Sequence, residues 1–401
     1  MTDTRSFDSP VSHHGWRAVL KREWQRLRGD FWDVGMLTWI PLVLYGIIWL
    51  TFSSGIARNI PIVVVDEDHS TISRQLVRWM DATPGITVAE QVSTTDQAMS
   101  VMRERRAYGI LLIPRNMSID LQSGRNVTVQ WFYNGQYTSH AGALTKDVRT
   151  VVGTLSAGVK LTAMTKRGTS TVQANEQFEP IRTMLVSLFN ENTSYESFLA
   201  MVLIPSMLQI FVVIAVVTSI GRELRESTVT DWIETAGGNW ATALTGKLLI
   251  PFIVFTVHAL LFVIFFTVIR GWAIEGSTFA VLLSLLLFIL AYIGLGLLLI
   301  GVTCSMRLAL SAAAFITAPA FAYAGQGFPL LAMPALAKIW ANILPLTHYL
   351  QLQTRHWLGG APLQYGATQM LILCLCAVVF GGIGFVMLKK LGAQPKSWGK
   401  A

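Results

Sequence analysis

Few stretches of this chain gather residues that could do chemistry. Asp66-Glu67-Asp68-His69-Ser70 sets three carboxylates beside an imidazole and a hydroxyl, the ingredients of a metal or acid–base site. The stretch follows a β-branched run and precedes a helical pattern, where acidic residues serve as caps and first-turn charges. The remaining ligands of a divalent-ion site are not evident. His13-His14 has no cysteine or further histidine near it and reads as a solvated tail. Cys304, Cys374 and Cys376 all fall in apolar runs, which leaves neither zinc spacing nor a disulfide framework. Gly246-Lys247 runs into Leu248 and lacks the earlier glycine of a phosphate-cradling loop. His258 is the one side chain of the proton-relay kind inside the apolar runs, and bonding to a neighbouring helix suits it better than transport. No nucleophile–base set lies together, so the chain is not expected to be an enzyme or to bind a cofactor or metal.

The densest polar pattern is 221–240. It holds Arg222, Glu223, Arg225, Glu226, Thr228, Asp231 and Trp232 and runs through Gly237-Gly238 to Trp240. Apolar runs at 198–220 and 248–269 flank it. Such a charged cluster cannot stay in hydrocarbon, so the chain leaves the membrane here. Thr228 with Asp231 three residues on predicts a capping box. Val229, Trp232, Ile233, Ala236 and Trp240 then share one helical face, and Gly237-Gly238 breaks or ends the helix. Two readings fit: an amphipathic helix lying on the headgroups, or a docking helix on which a soluble partner pushes.

The elements that must position this stretch are membrane spans. Of 401 residues, 52% are hydrophobic and only 13% charged, with a mean hydropathy of +0.49, which excludes an ordinary soluble domain. Six runs free of Asp, Glu, Lys and Arg reach spanning length: 36–57, 198–220, 248–269, 279–306, 308–326 and 367–388. No cleavable signal peptide precedes the first, because the polar N-terminal segment 1–35 is too long and too basic. Within it, 17–28 reads as an interfacial amphipathic helix with Trp16, Val19, Leu20, Trp24 and Leu27 on its apolar side. With the N-terminus inside, the inner segments carry 14 Lys/Arg and the short outer loops three, Arg270, Lys338 and Arg355. Both termini are therefore expected in the cytoplasm, the tail being 389–401. The net charge of +8 owes much to these anchors and is not read as nucleic-acid binding.

Residues 58–197 lie outside on this reading and hold no cysteine. Strands at 60–65, 86–88, 108–113 and 127–133 alternate with helices at 70–80, 95–106 and 117–122, which predicts a small sheet with crossover helices. A long helix follows at 138–165, with Leu144, Val148, Val151, Val152, Leu155 and Val159 in one stripe. At 1.5 Å per residue it could carry the sheet clear of the bilayer. A second helical pattern, 179–189, leads back to the membrane. The fold class is thus an α-helical membrane protein with six transmembrane helices and an α/β extracytoplasmic domain between spans one and two.

Arg222-Glu223-Leu224-Arg225-Glu226-Ser227-Thr228, followed by a short helix and Gly246-Lys247-Leu248, resembles the cytoplasmic coupling loop of type-2 ABC transporter permeases, here 221–247. Gly325-Gln326-Gly327-Phe328-Pro329, Met333-Pro334 and Leu344-Pro345-Leu346-Thr347-His348-Tyr349 resemble that family's external re-entrant hairpin, here 327–350. Pro61-Ile62-Val63-Val64-Val65-Asp66-Glu67-Asp68, with Ser70, Ser73 and Arg74, is similar to the start of the external domain in its efflux-type branch. Leu188-Phe189-Asn190 with Ser194-Tyr195 matches the re-entry before the second span. Ser227 stands where the family often has glycine, and Asn190-Glu191 where it has Asn-Pro.

The resemblance implies the membrane subunit of a bacterial inner-membrane exporter, with 58–197 periplasmic. A hydrophobic or amphipathic, drug-like or lipid-like substrate would leave the cytoplasm or inner membrane. A separate ABC ATPase, holding ATP and Mg, would drive it through Arg222, Glu223, Arg225, Glu226, Thr228, Asp231 and Trp232. Further implied partners are a second permease subunit, identical or paralogous and paired through the first and fifth spans, membrane lipids, and a periplasmic adaptor with an outer-membrane channel. Candidate path or gate residues are His258, Gln209, Gln326, Phe328 and Tyr349. The rival readings are a non-transporting envelope scaffold or receptor, and an ion-coupled secondary transporter.

Overall fold

The computed structural model describes residues 15–123, 125–135, 138–166 and 194–399. The expected helix at 179–189, the Asn190-Glu191 departure and His13-His14 lie outside these residues. The chain divides into two compact units, Met1–Ser53 with Glu196–Ala401, and Ser54–Tyr195.

The first unit begins with helix α1 (Trp16–Arg28), then α2 (Phe31–Leu37) and α3 (Trp39–Phe52). The first span is therefore bent by 43° between α2 and α3 and starts earlier than the apolar run implied. The bend falls at Thr38, whose hydroxyl donates to the Val34 carbonyl, while Pro41 removes a backbone donor just beyond.

The second unit starts at β1 (Ile60–Asp66). It continues through α4 (Thr71–Asp81), β2 (Ile86–Val92), α5 (Thr95–Arg103), β3 (Gly109–Ile113), α6 (Met117–Gln122), β4 (Gln130–Tyr133) and α7 (Thr138–Lys166). The sheet order is β2-β1-β3-β4, with β1 parallel to β2 and β3, and β4 antiparallel to β3. Period-two alternation sorts the central strand between two cores. Ile60, Ile62 and Val64 pack with Leu76 and Met80 of α4 and with Leu144 and Val148 of α7. Val63 and Val65 pack with Ala98 and Val101 of α5. The stripe on α7 is thus part of the sheet's core over its first half. β4 begins at Gln130, later than the sequence pattern suggested, because its register on β3 covers only Gly109–Leu112.

The first unit resumes with a π-helical turn (Glu196–Ala200) running into α8 (Met201–Arg225), then α9 (Val229–Thr235) and α10 (Trp240–Ile264), which a second π turn extends to Ile269. Next come α11 (Thr278–Thr303), α12 (Met306–Thr317), α13 (Ala320–Tyr323), α14 (Ala335–Ile343), α15 (Pro345–Gln353) and α16 (Ala367–Met387). Among the described residues five helical segments are long and apolar enough to span a membrane, or six when the bent pair counts as one span.

Backbone contact holds α11 to α16. A Cβ added at Gly384 would sit 2.5 Å from the Leu297 carbonyl carbon, and one at Gly294 would sit 2.9 Å from the Ala377 carbonyl oxygen. Without a hydrophobic drive between helices in lipid, such small-residue contacts supply van der Waals packing. Gly384→Leu is expected to force these helices apart at a cost of about 1–3 kcal/mol or more. Size-exclusion chromatography of the detergent-solubilised variant should show aggregation or a lowered melting midpoint, whereas Gly382→Leu, at a glycine with open space around it, should leave the wild-type profile.

Candidate functional site

Helix α1 presents Val19, Glu23 and Leu27 inward at successive i, i+4 positions, and all three are buried. Trp16 and Trp24, expected on the apolar side, are about half exposed at 47% and 49%. At Gly246 an added Cβ would stand 2.9 Å from both the Trp16 carbonyl oxygen and the Val19 Cβ, so α1 lies directly on α10. The same approach sets Glu23 beside Lys247.

Lys247 is 1% exposed and is held by two carboxylates, Glu23 Oε2 at 2.6 Å and Glu223 Oε1 at 2.7 Å. Glu223 also accepts both terminal nitrogens of Arg22 at 3.0 Å, a bidentate pair, and the Thr228 hydroxyl. Glu23 accepts Arg26 at 2.5 Å and the Ser219 hydroxyl at 3.0 Å. A second set adjoins the first. Arg222 reaches Asp30 at 2.8 Å and Asp33 at 2.5 Å, while Asp30 caps α2 by accepting the Trp32 and Asp33 amides. The hydrogen bond from Arg222 holds the Asp30 carboxyl below its ordinary range. Glu23, Asp30, Asp33 and Glu223 thereby face Arg22, Arg26, Arg222 and Lys247, and the formal charges cancel.

Helix α9 is fastened onto this network. Trp232, 1% exposed, donates its indole N–H to the Ala243 carbonyl at 3.2 Å, and the Lys247 ammonium lies 5.2 Å from its ring centroid. The Gly15 amide donates to the Thr235 carbonyl at the helix end. Gly237 and Gly238 both take positive φ and stop the helix, and Asn239 caps the next one. The expected capping box is absent. Thr228 makes no side-chain cap, because Glu223 engages its hydroxyl, and Asp231 is exposed.

The sequence-assigned coupling residues therefore separate into two groups. Glu223 and Trp232 are buried, with Arg222 and Thr228 partly so, and act on other parts of this chain. Arg225 and Glu226, paired to each other at 3.1 Å, are exposed along with Asp231. The sequence motif held Lys247 without giving it a role, and Glu23 lay outside it. The available signal was Glu23's position in the Val19–Leu27 stripe, an acid where a hydrophobe was due.

The five candidate path residues do not converge. His258 lines a cavity of about 320 Å³ between the first and third spans, and the other four do not. Gln209 donates to the Thr317 carbonyl at 3.2 Å, Gln326 to the Thr354 hydroxyl at 3.3 Å. Tyr349 is fully buried against Phe288, with ring centroids 4.4 Å apart, whereas Phe328 is half exposed. Among the described residues no group of three His, Cys, Asp or Glu is placed to hold a metal ion. Asp66 accepts the Asp68 and His69 amides and the Ser73 hydroxyl, so the acidic stretch shapes a loop.

Two carboxylates that the apolar runs left out belong to the same helical segment as the second span, Glu223 near one end and Glu196 near the other. Glu196 is 2% exposed and takes Arg270 through Nε at 2.5 Å and Nη2 at 2.8 Å, and the Trp49 indole at 2.8 Å. At 1.5 Å per residue the two acids stand about 40 Å apart along the helix, close to a bilayer with its headgroup layers.

The sequence profile described as ABC-2 family transporter protein matches residues 32–386. The chain belongs to that family and is a multi-pass permease, the membrane subunit of a transporter. Comparison with curated proteins gave no match.

Removing Lys247 would leave Glu23 and Glu223 buried with less compensation. Lys247→Met should destabilise the protein by about 3–5 kcal/mol, read as a lowered thermal midpoint in detergent, and Glu23→Gln added to it should recover part of the loss.

Proposed function

We propose that this permease is the membrane half of an ATP-driven exporter in a bacterial inner membrane, with both termini cytoplasmic and residues 58–197 periplasmic. Separate ABC ATPases dock on the exposed Arg225, Glu226 and Asp231, and a second permease subunit completes the assembly. The observation that supports this reading is the division of the 221–240 stretch. One side is left to a partner, while the other is fixed through Trp232, Glu223 and Lys247 to α1, the second span and the third.

A push on α9 would move rigidly with α10, because the indole–carbonyl bond and the Lys247 clamp join them. Glu23 and Arg22 carry the displacement into α1, and Arg222 carries it to Asp30 and Asp33 at the foot of the first span. The cargo on this reading is hydrophobic or amphipathic, drug-like or lipid-like. ATP and Mg belong to the partner, and this chain transmits motion without catalysis of its own.

The test is affinity purification from native membranes followed by an ATPase assay. Asp231→Lys with Arg225→Glu should lose co-purifying ATPase while keeping the wild-type thermal midpoint. Trp232→Ala should lower both, since it opens a large void beside Lys247, with a loss of about 3–5 kcal/mol. Wild type that brings down no ATPase, or surface variants that retain it in full, would sink the proposal.

A further inference from the structure

The first span is tied at two points. Asp30 and Asp33 meet Arg222 at one end, and Trp49 meets Glu196 and the Arg270 guanidinium at the other. Between the ties the span stands off from the third, leaving the cavity of about 320 Å³. This volume is in the range of small-molecule sites. Leu42, Gly46 and Trp49 line one side, and Leu261, Ile264 and Ile269 the other. A Cβ at Gly46 would meet nothing within 4 Å.

Leu42, Leu261, Ile264 and Ile269 are each more than a third exposed, so the cavity opens sideways to the face these spans turn toward hydrocarbon. The Tyr45 hydroxyl and His258 Nδ1 are sealed from it, without hydrogen-bond partners among the described residues. What an occupant meets is therefore hydrocarbon and ring faces. From Leu261 to Ile269 the slot follows the helix for about 12 Å, the shape of a chain.

A cation stands just beyond its end. Arg270 directly follows Ile269, and its guanidinium carbon lies 5.6 Å from the Trp49 ring centroid. Nε and Nη2 are committed to Glu196, but Nη1 has no hydrogen bond among the described residues, and the side chain is one-third exposed. A hydrocarbon slot that opens to lipid, with a charged N–H donor just beyond its lining, fits an amphiphile with an acceptor head.

We propose that this cavity holds one acyl chain of a membrane phospholipid, with the phosphate accepting a hydrogen bond from Arg270 Nη1. The chain fills the gap between the first and third spans, and the headgroup adds a member to the Trp49–Glu196–Arg270 tie. Glu196 already neutralises Arg270, so the phosphate is held by a local charge-assisted bond. The occupant is a resident lipid, and the site stands whether or not the export reading holds.

The experiment follows the thermal midpoint of the delipidated full chain in maltoside detergent as dioleoyl-phosphatidylethanolamine is added, with dioleoylglycerol as the phosphate-free control. Phospholipid should raise the midpoint, since a ligand bound only by the folded state stabilises it. Diacylglycerol should need about tenfold more to match it, the worth of one charge-assisted hydrogen bond. Gly46→Phe, which fills the slot where there is room, should fold and lose the response. Arg270→Met made with Glu196→Gln, which removes the charged donor and leaves no unpaired carboxylate, should respond to both lipids alike. A folded Gly46→Phe protein that responds as wild type does, or a wild type that answers equally to diacylglycerol, would overturn the assignment. The readout contains no ATPase, so its failure and that of the export reading are separable.

Discussion

The ammonium of Lys247 between the carboxylates of Glu23 and Glu223 is the interaction on which the rest of the first unit depends. A lysine this deeply buried is tolerable only when paired and hydrogen-bonded, and each of its acids is shared with an arginine and a hydroxyl. The partners come from α1, α8, the turn after it and α10, so the pairing fixes four segments at once. Glu23 and Lys247 are 224 residues apart in sequence. Each keeps a second partner of opposite charge, Arg26 for Glu23 and Glu223 for Lys247.

A complementary tie closes the opposite end of the second span. Glu196 gathers Arg270 from the end of the third span and Trp49 from the end of the first. Between the two charged ends the helices pack through apolar side chains and, where α11 meets α16, through glycines that let the backbones touch. The polar groups thus set register and depth, while small residues set distance. That division follows from the solvent: hydrocarbon gives no reward for hiding a leucine, yet penalises an unpaired charge heavily.

The α/β unit obeys the opposite rule. Its parallel centre is stabilised by burying both faces of β1, whose Ile62 to Val65 are wholly inaccessible. With no cysteine in it, hydrophobic packing and backbone pairing are joined by side-chain bonds such as Ser73 to Asp66 and Trp131 to Thr145. Its acidic stretch, the most enzyme-like motif of the sequence, serves the turn that leaves β1: Asp66 accepts the Asp68 and His69 amides of that turn, and Asp68 the Ser118 amide at the start of α6.

Read alone, the sequence marked the apolar runs behind the five or six candidate spans, the alternation of strands and helices over 60–133, and the short helix ended by Gly237-Gly238. These follow from hydropathy, period and backbone freedom, which are local properties. It also carried family-level motifs spread over nearly the whole chain, and the family match agrees with them. Only the tertiary structure decided the roles of the charges. Thr228 reads as a cap in the sequence, but its hydroxyl goes to Glu223, and Lys247 stands in the loop motif with nothing in the sequence to join it to Glu23. Pairing energies depend on distance and dielectric, and neither is written in the spacing of residues along a chain.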